Sequence, residues 1–144
     1  MQDRFKFRVW NKNDKKMCEA EGVYGYTDES TMGGEVFVTD YKTSFYFPEE
    51  VYVMQCTGLK DKNGKLIYEH DIVKTLYTRP DGVVINRNCV VEFNRCAFWI
   101  NYGIGASYLD NDDCIYEVIG NIYENKELLN DWNRKKVLYK RNSY

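Results

Sequence analysis

The sequence predicts a mainly β (α+β) protein that ends in one helix, and three observations support this fold class. The 144 residues include 13 Tyr, 7 Phe and 3 Trp but only 2 Pro, and aromatic side chains suit the half-buried surface of a pleated sheet. Short segments in which apolar and polar residues alternate are separated by turn sequences. After residue 123 the apolar spacing becomes helical. Strands at this spacing predict a small barrel or sandwich, in a chain as long as one ordinary domain.

Residues 1–50 are predicted to form an N-terminal β region packed on the core. In "RFKFRVW" the apolar residues Phe5, Phe7 and Val9 share one face of a strand, and the basic residues between them share the other. The polar turn "NKNDKK" leads to a return strand within "MCEAEGVYGY", and "EVFV" and "SFYF" supply two more short strands. We place a boundary near residue 50.

Residues 51–123 are predicted to form the central β unit. Its first strand, "VYVMQCTG", ends at Gly58. Asn63-Gly64 predicts a hairpin, because both central residues of a type I′ turn need a positive φ. "RPDG" at 79–82 predicts a second turn, and "CVVEF" and "AFWINY" flank "NRC" as a further hairpin. Gly120 interrupts the last strand, "IYEVIGNIY", and predicts a bulge there.

Residues 124–144 are predicted to form a C-terminal helix with a basic tail. Asn125 is a candidate N-cap, and Leu128, Leu129 and Trp132 form an apolar stripe. Residues 131–144 carry a net charge of +4, which leaves −6 on the first 130 residues. Five basic side chains are therefore candidates for binding nucleic acid or an acidic partner: Arg134, Lys135, Lys136, Lys140 and Arg141.

Cysteine usage and the absence of targeting signals indicate a cytoplasmic protein. The five cysteines are odd in number, none forms a C-x-x-C pair, and one histidine is too few for a Cys/His zinc set. We interpret all five as reduced thiols. No signal-peptide core and no run of 18 apolar residues is present in the sequence. The sequence therefore predicts neither a cofactor nor a membrane association.

The stretch "GLKDKNGKLIYEHDIVK", residues 58–74, is the densest cluster of candidate functional residues. Glu69 and Asp71 lie two apart and would share one side of a strand. With Asp61 or Glu117 they could form an acid/base or metal-binding group, or a hydrolase site that uses His70. The alternative is that Asp61 and Asn63 stabilise a turn, Glu69 and Asp71 cap the strand entry, and His70 faces away from both carboxylates. We favour that structural interpretation.

Three segments together resemble the YopX family of phage and prophage proteins: "FKFRVWNKNDKKM", "VMQCTGLKDKNGKLIYEHDIVK" and "YEVIGNIYENKELL". The resemblance covers residues 4–129. It implies a bacterial or phage cytoplasm and an SH3-like barrel core, and it supplies no catalytic residues. The family pattern favours Gly where this chain has His70, which implies either a slightly different corner or an unusual non-Gly backbone conformation there. It also favours Pro in place of Lys126, a mild departure.

For function, the sequence favours a non-catalytic accessory protein that binds a bacterial or phage protein, or a second copy of itself. The acidic body would suit a basic partner surface. The candidate interaction surface comprises Asp61, Glu69, His70, Asp71 and Glu117. The aromatic segment "FWINY" is assigned to the core or to a subunit interface, because its neighbours are not basic. Nucleic-acid binding through the tail is one alternative, and an enzyme centred on Glu69, His70 and Asp71 is the other.

Overall fold

The described residues of the computed structural model form eleven β-strands, so the mainly β prediction is confirmed. The structure describes residues 5–20, 23–26, 35–38, 50–103, 105–109 and 114–129. The chain divides into two compact units, Met1–Gly58 and Leu59–Tyr144. The predicted three-part division at residues 50 and 123 stays a prediction.

The first unit contains four strands and most of a fifth. They are β1 Phe7–Asn11, β2 Lys16–Ala20, β3 Val23–Tyr26, β4 Glu35–Val38 and β5 Val51–Lys60. β1 pairs antiparallel with β2 and with β5, and β3 pairs antiparallel with β4. Val9 is fully buried and packs with Ala20 and Val51, so the predicted strand is confirmed. Trp10 and Asn11 are buried as well, so the predicted alternation of buried and exposed faces is wrong at the end of β1. Phe5 lies before this strand and is 73% exposed, so its predicted place on the buried face is wrong. The predicted strand "SFYF" lies outside the described residues.

The second unit contains the end of β5 and six further strands. They are β6 Leu66–Tyr68, β7 Asp71–Thr78, β8 Val84–Asn94, β9 Ala97–Asn101, β10 Ala106–Tyr108 and β11 Cys114–Asn121. β6 pairs with β5, and the other five form an antiparallel sheet in the order β10-β9-β8-β7-β11. β10 and β11 lie at the two ends of this order and do not pair with each other in the described residues, so the SH3-like barrel is not confirmed.

Both faces of the five-stranded sheet carry apolar clusters. The inner face, as we call the side of Val73, Cys89 and Val91, packs with Ile100 and Tyr116. The outer face, the side of Ile72 and Val90, is covered by Ile122 and Leu129. Covering on both sides explains why "IV" at 72–73 and "CVV" at 89–91 are continuously apolar rather than alternating. Each fully buried Val, Leu or Ile stabilises the fold by about 1.5–3 kcal/mol.

Two hairpin turns differ from the turn types that their sequences favour: the turn with the Asn-Gly pair is not type I′, and a turn without glycine is. At Asn63-Gly64 only the glycine has a positive φ, 81°, and Gly64 N–H donates to the Asp61 carbonyl at 2.9 Å. This is the three-residue type I loop with a glycine bulge, so the predicted hairpin is confirmed and its type I′ turn is wrong. Between β8 and β9, Arg95 and Cys96 have φ of 48° and 60°, the type I′ pattern without glycine.

The predicted C-terminal helix is wrong over the part of this region that the structure describes. Only one 3-10 turn forms, Lys126–Leu128, and Leu129 is already extended. Asn125 does not cap a helix through its side chain. Its Oδ1 instead accepts a hydrogen bond from Asn121 N–H at 3.2 Å. The Leu128 carbonyl accepts from Asn88 Nδ2 at 2.8 Å, so it is bound to the sheet at the point where a helix would need it.

The predicted bulge at Gly120 is confirmed by a register shift between Val118 and Gly120 in the pairing of β11 with β7. A Cβ at position 120 would lie 2.5 Å from Asn125 Oδ1, so the chain passes too close for a side chain. The bulge therefore places residues 122–129 against the outer face of the sheet.

Candidate functional site

Asp61 is a buried architectural carboxylate, with only 7% of its surface exposed. Its Oδ1 accepts hydrogen bonds from Asn63 N–H at 2.8 Å and Lys65 N–H at 2.9 Å. Its Oδ2 accepts from Val118 N–H on β11 at 3.0 Å. Both oxygens are therefore engaged by the main chain, and the predicted turn-stabilising role is confirmed.

The backbone donors also keep Asp61 ionised. Burial by itself would raise the pKa of this carboxyl, because it penalises the charged form. The hydrogen bonds from Val118, Lys65 and Asn63, with the nearby Lys65 charge, outweigh that effect and hold the pKa below its usual value of 3.8. A carboxylate held in this way serves as a permanent acceptor and is a poor proton donor near neutrality.

Asp71 is likewise part of the framework. It is 1% exposed at the start of β7, and its Oδ2 accepts from Tyr68 N–H at 2.8 Å. This bond closes the corner between β6 and β7, which confirms the capping role predicted for Asp71. Its burial removes it from any solvent-facing carboxylate pair with Glu69.

His70 is the corner residue between β6 and β7. Its φ of 64° is the unusual non-Gly conformation, one of the two alternatives that the family resemblance implies. Its N–H donates to the Val91 carbonyl at 2.8 Å, and its carbonyl accepts from Ile122 N–H at 3.0 Å. Its Nδ1 lies 2.8 Å from the Tyr123 hydroxyl. Its Nε2 lies 3.7 Å from Glu69 Oε1, so the prediction that His70 faces away from Glu69 is wrong. The reason is that both residues lie in a turn, where side chains do not alternate.

Glu117, the last member of the predicted interaction surface, pairs with a lysine of the Asp61 turn. The Oε2 atom of Glu117, on β11, lies 2.7 Å from Lys62 Nζ. In the part of the chain that the structure describes, no group of three His, Cys, Asp or Glu side chains is placed to hold a metal ion. The five basic residues of the tail, Arg134, Lys135, Lys136, Lys140 and Arg141, lie outside the described residues.

The second unit contains a pocket that the sequence interpretation missed. It has a volume of about 270 Å³ on the inner face of the five-stranded sheet. Its lining includes Tyr77, Ile85, Arg87, Ile100, Tyr102 and Ser107. The pocket lies next to the inner-face core. Along β8, Cys89 is buried in that core, and Arg87, two residues earlier on the same face, is exposed.

Strand register explains why these residues meet. β7 and β8 pair Thr75 with Arg87 and Tyr77 with Ile85, so two cross-strand pairs project to the same side. Ile100 and Ser107 are paired on β9 and β10, which supplies the opposite wall. The period-2 pattern of β8 places Arg87 on the inner face, but the sequence does not reveal which residues of other strands stand beside it.

Arg87 is the only charged side chain lining the pocket in the described residues. Its guanidinium lies over the ring of Tyr102, 5.2 Å from the centroid, which is cation–π geometry. The Thr75 hydroxyl donates to the Arg87 carbonyl at 3.2 Å and lies 3.6 Å from Cys89 Sγ. Burial raises the pKa of the Cys89 thiol more than the Thr75 contact lowers it, so Cys89 is a neutral thiol.

These features define a mainly β protein whose second unit is a curled antiparallel sheet with a partly polar pocket. The chain belongs to the YopX family, since the family model described as "YopX protein" matches residues 6–130. That family has no assigned biochemical function. The comparison with curated proteins finds no match.

Two solved structures are similar to this chain. Protein EF1440 from Enterococcus faecalis superimposes with a TM-score of 0.53 at 28% identity, covering 87% of this chain and 97% of that one. Protein yopX from Bacillus subtilis superimposes with a TM-score of 0.59 at 20% identity, covering 88% of this chain and 97% of that one. At 20% identity the second likeness shows the fold alone. In the described segments, none of the helical structure has the length and apolarity needed to cross a bilayer.

Proposed function

We propose that this protein is a non-catalytic binding module, and that the pocket around Arg87 and Tyr102 receives part of a protein partner. The observation that carries the proposal is the combination of an apolar wall with a single cation at an exposed rim. Recognition sites typically pair apolar lining with a few polar groups that orient the ligand. The partner is a bacterial or phage protein or a second copy of this chain.

The contacts of the sequence-predicted cluster also support a binding role. Asp61 and Asp71 are committed to main-chain donors, and Cys89 is held as a neutral thiol. Within the described part of the chain, none of Asp61, Asp71 and Cys89 lines the pocket. These three side chains therefore do not supply an activated nucleophile there. The half-buried members of the cluster, Glu69, His70 and Glu117, form a second contact surface that we propose for the same partner.

We further propose a cytoplasmic location in a bacterial host. All five cysteines are free thiols in the structure. Reduced thiols in odd number suit a reducing compartment.

The proposal is tested by site-specific photocrosslinking in bacteria that carry this protein. A benzophenone amino acid replaces Tyr102, which lines the pocket, or Tyr108, which stacks on Trp99 on the outer face with ring centroids 4.1 Å apart. We expect a discrete adduct from position 102, lost when Ser107→Trp fills the pocket, and none from position 108. A doubled mass would identify a second copy as the partner.

The proposal fails if position 108 gives the same adduct, or if the adduct from position 102 survives the Ser107→Trp change. Circular dichroism of the variant checks that the sheet is intact, because Ser107 lies on the edge strand β10.

Nucleic-acid binding through the tail is the second candidate, and the charge asymmetry of +4 against −6 favours it. We expect any such binding to fall steeply with salt and to be lost on truncation after Asn130, because phosphate contacts release counterions. Gel-shift assays of the two forms at several salt concentrations make the measurement. Retained binding after truncation would refute the role of the tail.

A further inference from the structure

We infer that the pocket recognises an acidic side chain adjacent to an apolar one in a protein partner. This inference rests on the proposed binding function and adds the chemical class of the ligand. Its starting point is Arg87, whose guanidinium is exposed and has no carboxylate partner in the described residues.

The Tyr102 ring prepares Arg87 for a planar anion. The guanidinium carbon lies 5.2 Å from the ring centroid, a cation–π contact that holds the side chain at the pocket. A guanidinium presents paired donors that match the two oxygens of a carboxylate. Because the ring contact restricts the side chain before binding, less conformational entropy is lost when the carboxylate arrives. The Ser107 hydroxyl, also in the lining, is a further donor for the same group.

The remaining wall selects an apolar neighbour. Tyr77, Ile85 and Ile100 supply an aromatic and two branched aliphatic surfaces. Ile100 is buried and Ile85 is half-buried, so this wall is continuous with the inner-face core. A leucine-sized side chain placed there would remove this surface from water, at about 25 cal/mol per Å² of apolar area.

The pocket volume suits a side chain of a protein partner. At about 270 Å³ it lies at the lower end of the roughly 300–1,000 Å³ typical of ligand pockets. One apolar side chain with the adjacent carboxylate fits such a space, and the rest of the partner would lie outside it.

The net negative charge of residues 1–130 would repel an acidic ligand at long range, so recognition of the acidic side chain depends on direct contact with Arg87. Residues 1–130 carry a net charge of −6, which predicts a basic partner at long range. At physiological salt the Debye length is about 8 Å, so more distant charges are screened. The interaction energy of an acidic side chain in contact with Arg87 is therefore set mainly by Arg87 itself. A partner with an acidic residue inside an otherwise basic or neutral surface meets both conditions.

The test uses the full chain labelled with ¹⁵N and three peptides: acetyl-Ala-Leu-Glu-Ala-amide and the versions with Gln or Lys in place of Glu. Amide chemical shifts are followed during titration. We expect the Glu peptide to shift the amides of Tyr77, Arg87 and Tyr102, with about fivefold higher affinity than the Gln peptide and no saturable shift from the Lys peptide, as a partly exposed ion pair predicts.

Neighbouring residues of β8 supply the matched control. Arg87 faces the pocket, and Asn86 faces the opposite side, paired with Leu76. Arg87→Ala should equalise the Glu and Gln affinities, whereas Asn86→Ala should leave the fivefold difference in place. Both positions are exposed, so both variants should fold.

The outcomes separate this inference from the proposed function. Equal binding of the Glu and Gln peptides at the pocket would refute the acidic ligand and leave the binding pocket standing. Shifts confined to residues outside the pocket, or no saturable shift with any of the three peptides, would overturn the acidic-ligand inference. The crosslinking result then decides separately whether the pocket binds a protein.

Discussion

The Asp61 turn and the Arg87 pocket lie in the same unit, and their charged groups have opposite surroundings. At Asp61 the carboxylate is buried and both oxygens accept from the main chain. At Arg87 the guanidinium is exposed and stacks on one aromatic ring. A charge enclosed by backbone donors holds the chain together, whereas a charge oriented at a pocket rim is available to a ligand. The stretch densest in carboxylates is therefore the architectural one.

The largest expected effect on stability is that of Asp61→Ala. The change leaves three backbone N–H groups, all in part-buried hydrogen bonds, without their acceptor. We expect the free energy of unfolding to fall by about 2–4 kcal/mol. Urea denaturation measures it. Lys62→Ala, in the same turn, should cost less than about 1 kcal/mol, because its ion pair with Glu117 is solvent-exposed. Equal losses in the two variants would contradict the architectural role of Asp61.

A second comparison concerns the backbone at His70. Both His70→Ala and His70→Gly remove the contact with the Tyr123 hydroxyl, but only glycine adopts a φ of 64° without a steric cost. We expect the Gly variant to be more stable than the Ala variant by about 1 kcal/mol. Thermal or urea unfolding of the pair decides this. An Ala variant as stable as the Gly variant would show that the corner is not strained.

The pH dependence sharpens the account of Asp61. Because the pKa of Asp61 is lowered in the folded state, the unfolded chain binds the proton more readily as the pH falls. The stabilising contribution is therefore complete above the ordinary pKa of 3.8 and is lost as the pH falls through the lower, folded-state value. The stability gap between the natural protein and Asp61→Asn should be constant from pH 7 to 5 and narrow below pH 3.8. A stability difference that increases in acid would show that the pKa of Asp61 is raised in the folded state, not lowered.

The smallest effect on stability belongs to Arg87. Its side chain is exposed and has one ring contact, so Arg87→Ala should change the free energy of unfolding by no more than about 0.5 kcal/mol. Asn86→Ala, on the opposite face of β8, is the matched measurement. A loss of several kcal/mol at position 87 alone would make Arg87 a structural residue.

The elements that the sequence predicts well are those decided by local pattern. Alternation located β1, and Gly120 located the bulge of β11, because both depend on neighbouring residues only. The type I′ turn was wrong at Asn63-Gly64, since the Asp61 carboxylate and the Lys65 pairing select a longer loop. The helix was wrong at residues 124–129, because Asn88 and the outer face of the sheet bind that segment.

The candidate site was predictable only in part for the same reason. Sequence inspection selected Asp61 and Asp71 and interpreted their role in the turn correctly, since side chains that bond their own backbone act over a few residues. It could not select Arg87, because Tyr102 and Ser107 meet it only through the register of β8, β9 and β10.

The most direct test of the distinction between the two regions is the affinity of the Glu peptide for Asp61→Asn and Arg87→Ala, measured under conditions where both variants are folded. We expect Asp61→Asn to bind like the natural protein despite its lower stability. Arg87→Ala should bind about fivefold more weakly at unchanged stability. The reverse pattern, with weakened binding in Asp61→Asn and normal binding in Arg87→Ala, would contradict the assignment of structure to one region and recognition to the other.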